Sequence, residues 1–295
     1  MIALVPLVVV TAVWGVTFVQ VKDAVAIYPL AAFLGVRFAI AAAALVIPAA
    51  PRLRGLGRSG FAAGVVLGAL LGVGFALQTA GLERTTVSST GFITGLYVVL
   101  TPLFALVLFR TRIGLAVWAA VVLALAGLGL LTGVHAGSPE GDLLVLASTA
   151  AQALQIVMVG RVATRYDAVA LTFVEMLTAC VGFLVAALVM HDLSTPRGWT
   201  VWGALLVTGL FASAFAFLVQ IWAQRRISAT QIALVFSLET VFAALFGYAL
   251  DGDRLGLAGW AGCGLILAGI GLAEPASAAA LRRIVRPSRT TPFGS

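Results

Sequence analysis

Charged residues are scarce in this chain of 295 residues. Only 10% are Asp, Glu, Lys or Arg, whereas 62% are hydrophobic and the mean hydropathy is +1.12. A soluble domain carries about a quarter charged residues, so this chain cannot cover an apolar interior with a polar surface. Its abundant apolar surface must face lipid, which excludes a soluble globular protein and indicates an integral membrane protein.

Cysteine and histidine are also scarce. The two cysteines, Cys180 and Cys263, each lie within an apolar run, and no CxxC or Cys/His spacing occurs. The two histidines, His135 and His191, are predicted to lie in loops. HExxH, GxSxG and glycine-rich phosphate loops do not occur in the sequence. The sequence therefore predicts no disulfide, no metal site, no cofactor and no catalytic residue.

The chain has one lysine against seventeen arginines, with a net charge of +7. A basic balance can indicate nucleic-acid binding, but the arginines lie in short segments between apolar runs, where membrane topology accounts for them. We therefore expect no nucleic-acid partner. The heavy use of arginine, alanine, glycine and valine suggests a bacterial genome.

Long apolar runs dominate what is present. A bilayer core about 30 Å thick needs about 20 apolar residues per helical span. The runs lack the ten-residue alternation of a β-barrel, so the spans must be helices that satisfy their own backbone groups. Ten spans are predicted near residues 3–21, 29–49, 60–80, 86–109, 114–133, 141–159, 168–190, 200–222, 229–249 and 255–273.

Loop charges agree with ten spans. If the N-terminus is cytoplasmic, thirteen basic residues fall on the cytoplasmic side and four on the outer side. This positive-inside bias predicts a multi-pass protein of a bacterial inner membrane with both termini in the cytoplasm. The outer residues are Lys22, Arg84, Arg197 and Arg254. The cytoplasmic residues are Arg52, Arg54, Arg58, Arg110, Arg112, Arg161, Arg165, Arg225, Arg226, Arg282, Arg283, Arg286 and Arg289.

An internal repeat with an offset of 142 residues divides the chain. Residues 112–116 recur as residues 254–258, and further matches at this offset are Trp118 with Trp260 and Gln78 with Gln220. Each half contains five predicted spans, an odd number, so the second half enters the membrane from the opposite side. Inverted repeats of this kind are typical of secondary transporters, with the substrate bound near the midplane.

The predicted fold class is therefore an all-α integral membrane protein with ten transmembrane helices in two inverted five-helix repeats. The first repeat is predicted over residues 1–137 and the second over residues 138–274. A basic cytoplasmic tail, 275–295, is expected to be disordered or to rest on anionic lipid.

Several stretches carry a family resemblance. They are Trp14-Gly-Val-Thr-Phe18, Phe33-Leu-Gly-Val-Arg-Phe38, residues 91–103 (GFITGLYVVLTPL) and Ser237-Leu-Glu-Thr-Val-Phe-Ala243. With these motifs the chain resembles the drug/metabolite transporter superfamily, of the EamA type. The resemblance implies a ten-helix permease or exporter, and it favours export. The family usually has proline before Val-Phe-Ala, where this chain has Thr240. A proline hinge is therefore expected at Pro102, and the proline that would support one at position 240 is missing.

Three ionisable residues lie inside predicted spans, where charges usually face a cavity or pair with each other. Glu239 is either a protonatable carboxylate that couples or binds the substrate, or a permanent partner of Arg37. Arg37 is expected to pair structurally rather than to contact an anionic substrate. Glu175 is expected nearer the cytoplasmic side, where it meets water or takes part in function.

Polar and aromatic side chains inside spans are further candidates for the cavity wall. Their helical spacing places the hydroxyl groups of the fourth span on one face, and the alternative is simple hydrogen bonding between helices. Glutamines at 78, 220 and 224 are expected toward helix ends. The candidate wall residues are Trp14, Thr90, Thr94, Tyr97, Thr101, Gln152, Gln155 and Phe236.

Together these features predict a secondary transporter that moves a small metabolite, amino-acid-like or drug-like, by alternating access. Its cavity is expected between spans 1, 2, 4, 6, 7 and 9. The rivals are an intramembrane enzyme acting on a lipid or lipid-linked substrate and a small-solute channel, and we predict that the protein is not an enzyme. The expected partners are a small-molecule substrate and membrane lipid, and the glycines of the fifth and tenth spans leave room for a homodimer.

Overall fold

The computed structural model describes residues 4–132, 138–250 and 256–285, and every regular element within those ranges is a helix. The all-α prediction is confirmed for these residues. The helices are α1 (Leu4–Val25), α2 (Leu30–Arg84), α3 (Val87–Gly95), α4 (Tyr97–Phe109), α5 (Leu115–Thr132), α6 (Pro139–Val162), α7 (Ala168–Val189), α8 (Gly198–Leu206), α9 (Ala216–Gln224), α10 (Ala229–Phe236), α11 (Leu238–Leu250) and α12 (Leu257–Val285). A π-helical stretch, Val207–Phe215, joins α8 to α9 and is called the π-segment below.

Helix α2 is too long for one membrane crossing. Its 55 residues extend about 80 Å at 1.5 Å per residue, against a bilayer core of about 30 Å. Gly57 inside it is non-helical, with φ 62° and ψ 178°, and Pro48 and Pro51 lie just upstream. Because glycine adopts positive φ without steric cost, Gly57 divides α2 into two apolar halves. These halves match the two spans predicted over 29–49 and 60–80.

Apolar helices form the surface as well as the interior. Within the described residues, seven helical segments are long and apolar enough to cross a membrane, and two shorter apolar helices cover Leu115–Leu131 and Leu257–Ala273. Large apolar side chains lie on the outside, such as Ile47, which is 83% exposed. Such a surface is stable only against lipid, so the chain is a multi-pass membrane protein.

Helix α12 runs further than the sequence analysis predicts. The last span is expected to end near residue 273, with a tail beyond it that is disordered or rests on anionic lipid, but α12 continues to Val285. The disordered alternative is wrong for residues 275–285, and a tail that rests on lipid stays a prediction. Alanine, the strongest helix former, occupies four of the five positions in 276–280 and accounts for the continuation. Arg286 and Arg289 of the predicted tail, like His135 and Arg254, lie outside the described residues.

Two spans are each divided by one residue. Leu96 separates α3 from α4, and Ser237 separates α10 from α11. Their backbones are nearly alike, with φ −63° and ψ −9° at Leu96 and φ −61° and ψ −13° at Ser237. A hinge is expected at Pro102, but Pro102 lies inside α4 and the break in its span lies at Leu96. Ser237 interrupts its span without proline, and its hydroxyl donates to the Leu234 carbonyl at 2.6 Å.

The two divided spans also begin alike. The Thr86 hydroxyl accepts a hydrogen bond from the Ser89 backbone N–H at 3.0 Å, and the Ser228 hydroxyl accepts one from the Gln231 N–H at 3.3 Å. Each satisfies an otherwise unpaired N–H of the first turn. The two capping residues are 142 positions apart, which is the offset of the sequence repeat.

Three glycines of α2 bring its second half against α7 and the loop before it. A Cβ on Gly68 would lie 2.5 Å from the Glu175 carbonyl oxygen, and one on Gly64 would lie 2.7 Å from Val174. A Cβ on Gly60 would lie 2.8 Å from the Tyr166 ring and equally close to the Leu56 side chain. The fourth residue of this glycine row, Gly72, has only ordinary contacts, the nearest at 3.8 Å.

Glycines also join α5 to α12. A Cβ on Gly127 would lie 2.7 Å from the Gly262 carbonyl oxygen, and one on Gly262 would lie 2.6 Å from the Gly127 carbonyl oxygen. A second close approach, at 2.8 Å, is between Gly269 and the Ala120 carbonyl oxygen. At the repeat offset of 142, Gly127 corresponds to Gly269 and Ala120 corresponds to Gly262. The Gly127–Gly262 contact in one repeat order is therefore the counterpart of the Ala120–Gly269 contact in the other.

The apolar core consists mainly of two clusters on either side of Trp14. One contains Phe38 and Phe183 from α2 and α7, and the other contains Val98 and Ile156 from α4 and α6. Trp14 packs against both clusters. This position places its indole ring between the two apolar clusters.

Substituting Gly68 and Gly72 separately tests the packing of α2 on α7. In Gly68→Ala the new methyl group meets backbone that cannot move aside, so we expect a loss of about 1–3 kcal/mol and a lower melting temperature. Gly72→Ala has room for the methyl group and gains about 0.5–1 kcal/mol from helix propensity. Thermal unfolding of both variants in one detergent measures the difference, and equal melting temperatures would contradict this packing.

Candidate functional site

A cavity lies between α1, α2, α3, α4, α6, α9, α10 and α11. Its volume is about 60 Å³, room for a few water molecules. The charged residues on its described wall are Arg37 and Glu239. The uncharged polar residues are Thr17, Gln78, Thr79, Thr94, Gln152, Gln155 and Gln220. The aromatic residues are Trp14, Phe18, Phe75, Tyr97, Phe217 and Phe236.

The structure brings most of the predicted site residues together. Eight of the eleven line this cavity, and they come from both halves of the chain. The remaining three, Thr90, Thr101 and Glu175, are fully buried but are not on its wall. The eight are Trp14, Arg37, Thr94, Tyr97, Gln152, Gln155, Phe236 and Glu239.

The hydroxyl groups of the fourth span do not all face the cavity. Thr94 and Tyr97 do so on either side of the break at Leu96, while the Thr90 hydroxyl donates to the Thr86 carbonyl within its own helix at 3.0 Å. Thr101 lies buried beyond the break. The prediction of one polar face assumed an unbroken helix, and the change of helix at Leu96 alters which side chains point inward.

The third and eighth spans contribute residues that the sequence analysis did not assign to the cavity. Gln78 and Gln220 line it, although both were expected toward helix ends, and Phe75 and Phe217 add aromatic surface. The seventh span, which was expected to line the cavity, does not contribute to it. A signal existed in the repeat, because Gln78 and Gln220 match at offset 142.

Glu239 is held by a tyrosine from the other half of the chain. The Tyr97 hydroxyl forms a hydrogen bond with the Glu239 carboxylate. Only 8% of Glu239 is exposed. The Tyr97 ring meets the edge of Phe236 at 6.2 Å, and Phe236 in turn lies 4.7 Å from Trp14, measured between ring centroids. The carboxylate therefore lies at one end of an aromatic wall.

Arg37 does not pair with Glu239. Within the part of the chain that the structure describes, no ion pair involves either residue, so the predicted structural pairing is wrong. The Arg37 Nε instead donates to the Ser213 hydroxyl at 2.9 Å. The guanidinium carbon lies 4.4 Å from the centroid of the Phe75 ring, a distance at which the ring face attracts a cation. The two charges share one cavity without meeting, because each is held by neutral neighbours.

The π-segment holds both Arg37 and Trp14. The Ser213 hydroxyl accepts from Arg37, and the adjacent Ala212 carbonyl accepts from the Trp14 indole N–H at 2.9 Å. In a π-helix the wider hydrogen-bond pattern leaves backbone groups free for such partners, and π-turns are frequent at functional sites. Two wall residues of the cavity are thus positioned by one irregular turn.

Glu175 is buried and is linked to the cavity by amides. It is 0% exposed, so the expectation that it meets water is wrong. Gln155 donates to its Oε1 at 2.7 Å, and Gln220 donates to Gln155 at 2.9 Å. Gln224 accepts from Gln220 at 3.2 Å. Within this hydrogen-bonded series of side chains, two acceptor atoms are buried without a hydrogen-bond partner among the described residues. They are Oε2 of Glu175 and Oε1 of Gln220.

Comparison with known proteins places the chain in a family. The model of the EamA-like transporter family matches residues 1–133 and again residues 139–273. The chain is 31% identical to an uncharacterized transporter of Archaeoglobus fulgidus over 258 residues, which cover 86% of this chain and 80% of the relative. It is 27% identical over 268 residues to the uncharacterized inner membrane transporter YedA of Escherichia coli, covering 86% and 85% of the two chains.

A solved crystal structure has the same fold. It superposes with a TM-score of 0.75 at 19% sequence identity, over 94% of this chain and 98% of the other. Identity at this level is evidence for the fold alone. The family matches and the apolar helices together lead to one conclusion: the chain belongs to the EamA-like transporter family and is a multi-pass membrane transporter.

Proposed function

We propose that the protein is a secondary active transporter that carries a small metabolite, amino-acid-like or drug-like, by alternating access. One observation carries this proposal: a cavity between helices of both halves of the chain holds an arginine and a glutamate that do not neutralise each other, on a wall rich in aromatic side chains. We propose export as the direction of transport, on the family resemblance.

The proposed architecture is ten spans in two inverted five-helix repeats. The break in α2 at Gly57, the matching caps of α3 and α10, and the two glycine contacts related by the repeat offset all support it. Loops assigned to one side of the membrane also touch each other. Arg52 lies 3.8 Å from Asp167 on the proposed cytoplasmic side, and Tyr28 donates to the Ser194 carbonyl at 2.7 Å on the outer side.

The divided spans offer a mechanism for alternating access. Thr94 and Tyr97 lie on either side of the break at Leu96, and Phe236 and Glu239 lie on either side of the break at Ser237. Transporters commonly bind substrate at discontinuous helices near the midplane. Rocking of one half against the other about these breaks opens the cavity to each side in turn.

Glu239 is the proposed coupling residue. It is a carboxylate within the membrane, it lines the cavity, and Tyr97 ties it to the other half of the chain. Uptake of a proton removes its charge and weakens the tie across the halves. Proton binding and rearrangement of the cavity are thereby linked at one residue.

An intramembrane enzyme and a channel are the competing functions. The two buried carboxylates, Glu239 and Glu175, are held by Tyr97 and Gln155. An enzyme would turn over a lipid or lipid-linked substrate without a membrane gradient. A channel would conduct without saturation, whereas a carrier saturates.

We propose the inner membrane of a bacterium as the location, with both termini in the cytoplasm. The distribution of basic residues supports it, and the Escherichia coli relative is named an inner membrane transporter. The proposed partners are the transported molecule and lipid. A homodimer would form through the open face of α5 and α12, where Gly129, Gly264 and Gly271 have no neighbour within 4 Å.

Flux into proteoliposomes tests the coupling role of Glu239. A pooled panel of amino acids, sugars, nucleosides and cationic drugs is offered with and without a pH gradient. We expect gradient-driven accumulation of one class in the wild type and none in Glu239→Gln, because the amide cannot take up a proton. Saturable exchange without a gradient persists in the variant.

Glu83→Gln, at the exposed end of α2, is the matched control and retains full accumulation. Gradient-driven flux at the wild-type level in Glu239→Gln would eliminate the coupling role. Turnover of a lipid by the purified protein in detergent would favour the enzyme instead.

Cysteine labelling tests the proposed orientation. Thr111 and Asp192 are exposed in loops assigned to opposite sides, and each is replaced by cysteine after removal of Cys180 and Cys263. An impermeant maleimide should label Asp192→Cys in intact spheroplasts and Thr111→Cys only in inverted vesicles. The reverse pattern would overturn the orientation, and labelling of both from one side would overturn the span count.

A further inference from the structure

Arg37 is a buried cation without a counter-ion. It is 4% exposed, and no carboxylate forms an ion pair with it in the described part of the chain. An unpaired charge inside a membrane protein is costly and is retained where it faces a cavity or a partner. Arg37 does face the cavity.

The contacts that hold Arg37 leave its charge uncompensated. One of its five N–H groups is used, on the Ser213 hydroxyl. Phe75 and Phe38 lie 4.4 Å and 5.6 Å from the guanidinium carbon and restrain it without neutralising it. The two terminal nitrogens have no acceptor among the described residues, so a rigid fork of donors remains open to a ligand.

Such a fork fits an anion with two oxygens. The planar guanidinium binds a carboxylate through two parallel N–H···O hydrogen bonds. A phosphate dianion calls for more than one cation, and Arg37 is the single cationic residue on the described wall. The aromatic rings of Trp14, Phe217 and Phe236 line the rest of the wall and suit an apolar body.

From this geometry we infer that Arg37 binds the carboxylate of the transported molecule, which is a small monocarboxylate with an apolar body. The inference deepens the proposed function and rests on it for its physiological meaning. Ser213 is the positioning residue, because it fixes the Nε side of the guanidinium and directs the terminal nitrogens toward the cavity.

Binding to the purified protein in detergent tests this inference without requiring flux. The probes are small carboxylic acids of increasing apolar size, including phenylalanine and 3-phenylpropionate, each paired with its uncharged amide. Isothermal titration and thermal stabilisation report binding. In the wild type we expect at least one carboxylate to bind more tightly than its amide.

The variants localise that preference. Arg37→Gln should weaken carboxylate binding about thirtyfold, which at 1.4 kcal/mol per decade is about 2 kcal/mol, and it should weaken amide binding much less, so that the preference for the acid is lost. Ser213→Ala keeps the charge of Arg37 and should weaken carboxylate binding less than Arg37→Gln does. Arg84→Gln, on the exposed end of α2, is the matched control and should have no effect.

The possible results separate the proposed carboxylate site from the proposed transport function. A wild type that binds no carboxylate more tightly than its amide overturns the assignment, as does a preference that survives in Arg37→Gln. Should Arg37→Gln not fold, Ser213→Ala decides, since an unchanged preference there contradicts the positioning of the fork. Carboxylate binding without any flux would support the site and contradict transport, whereas equal flux of acids and amides would support transport and overturn the site.

Discussion

Contact with lipid is costly for charged and hydrogen-bonding groups, and this constraint determines where the polar side chains of the spans lie. Thr94, Gln78 and Gln220 come from different helices and point to the same cavity, because the interior of the bundle is where they find partners. Gln78 donates to Thr94, and Gln220 donates to Gln155. The surface toward lipid is left to apolar side chains, and the cavity becomes the polar centre of the molecule.

Irregular backbone is concentrated around that centre. The breaks at Leu96 and Ser237 lie next to wall residues in the sequence, and the π-segment contacts two wall residues from behind. The π-segment is the clearest case, because its Ala212 carbonyl and Ser213 hydroxyl hold Trp14 and Arg37. Backbone groups freed from a helix are tolerated in a membrane protein only where they are buried or line a cavity. The irregular backbone therefore lies beside the candidate functional site.

Hydropathy, charge and helical spacing predicted the helical class and eight of the nineteen described wall residues. Trp14, Arg37 and Glu239 could be chosen from sequence, because a charge or a deep aromatic residue in an apolar run stands out. Their partners could not be chosen. The bond from Arg37 to Ser213 joins residues 176 positions apart, and no local pattern announces a π-helix. The location of Gln78 and Gln220 in the cavity was missed because their positions near span ends were given more weight than their match in the repeat. The burial of Glu175 was missed because its depth was estimated from its position along the helix.

Accessibility of the cavity from each side of the membrane decides whether the two halves alternate. Thr94 lines the cavity and is 3% exposed, so Thr94→Cys, in a chain lacking Cys180 and Cys263, reports access with little change in shape. An impermeant maleimide applied to right-side-out and to inverted vesicles should label this cysteine from both sides. A bound substrate should slow both reactions. Labelling from one side alone, under every gradient and substrate condition, would contradict alternating access.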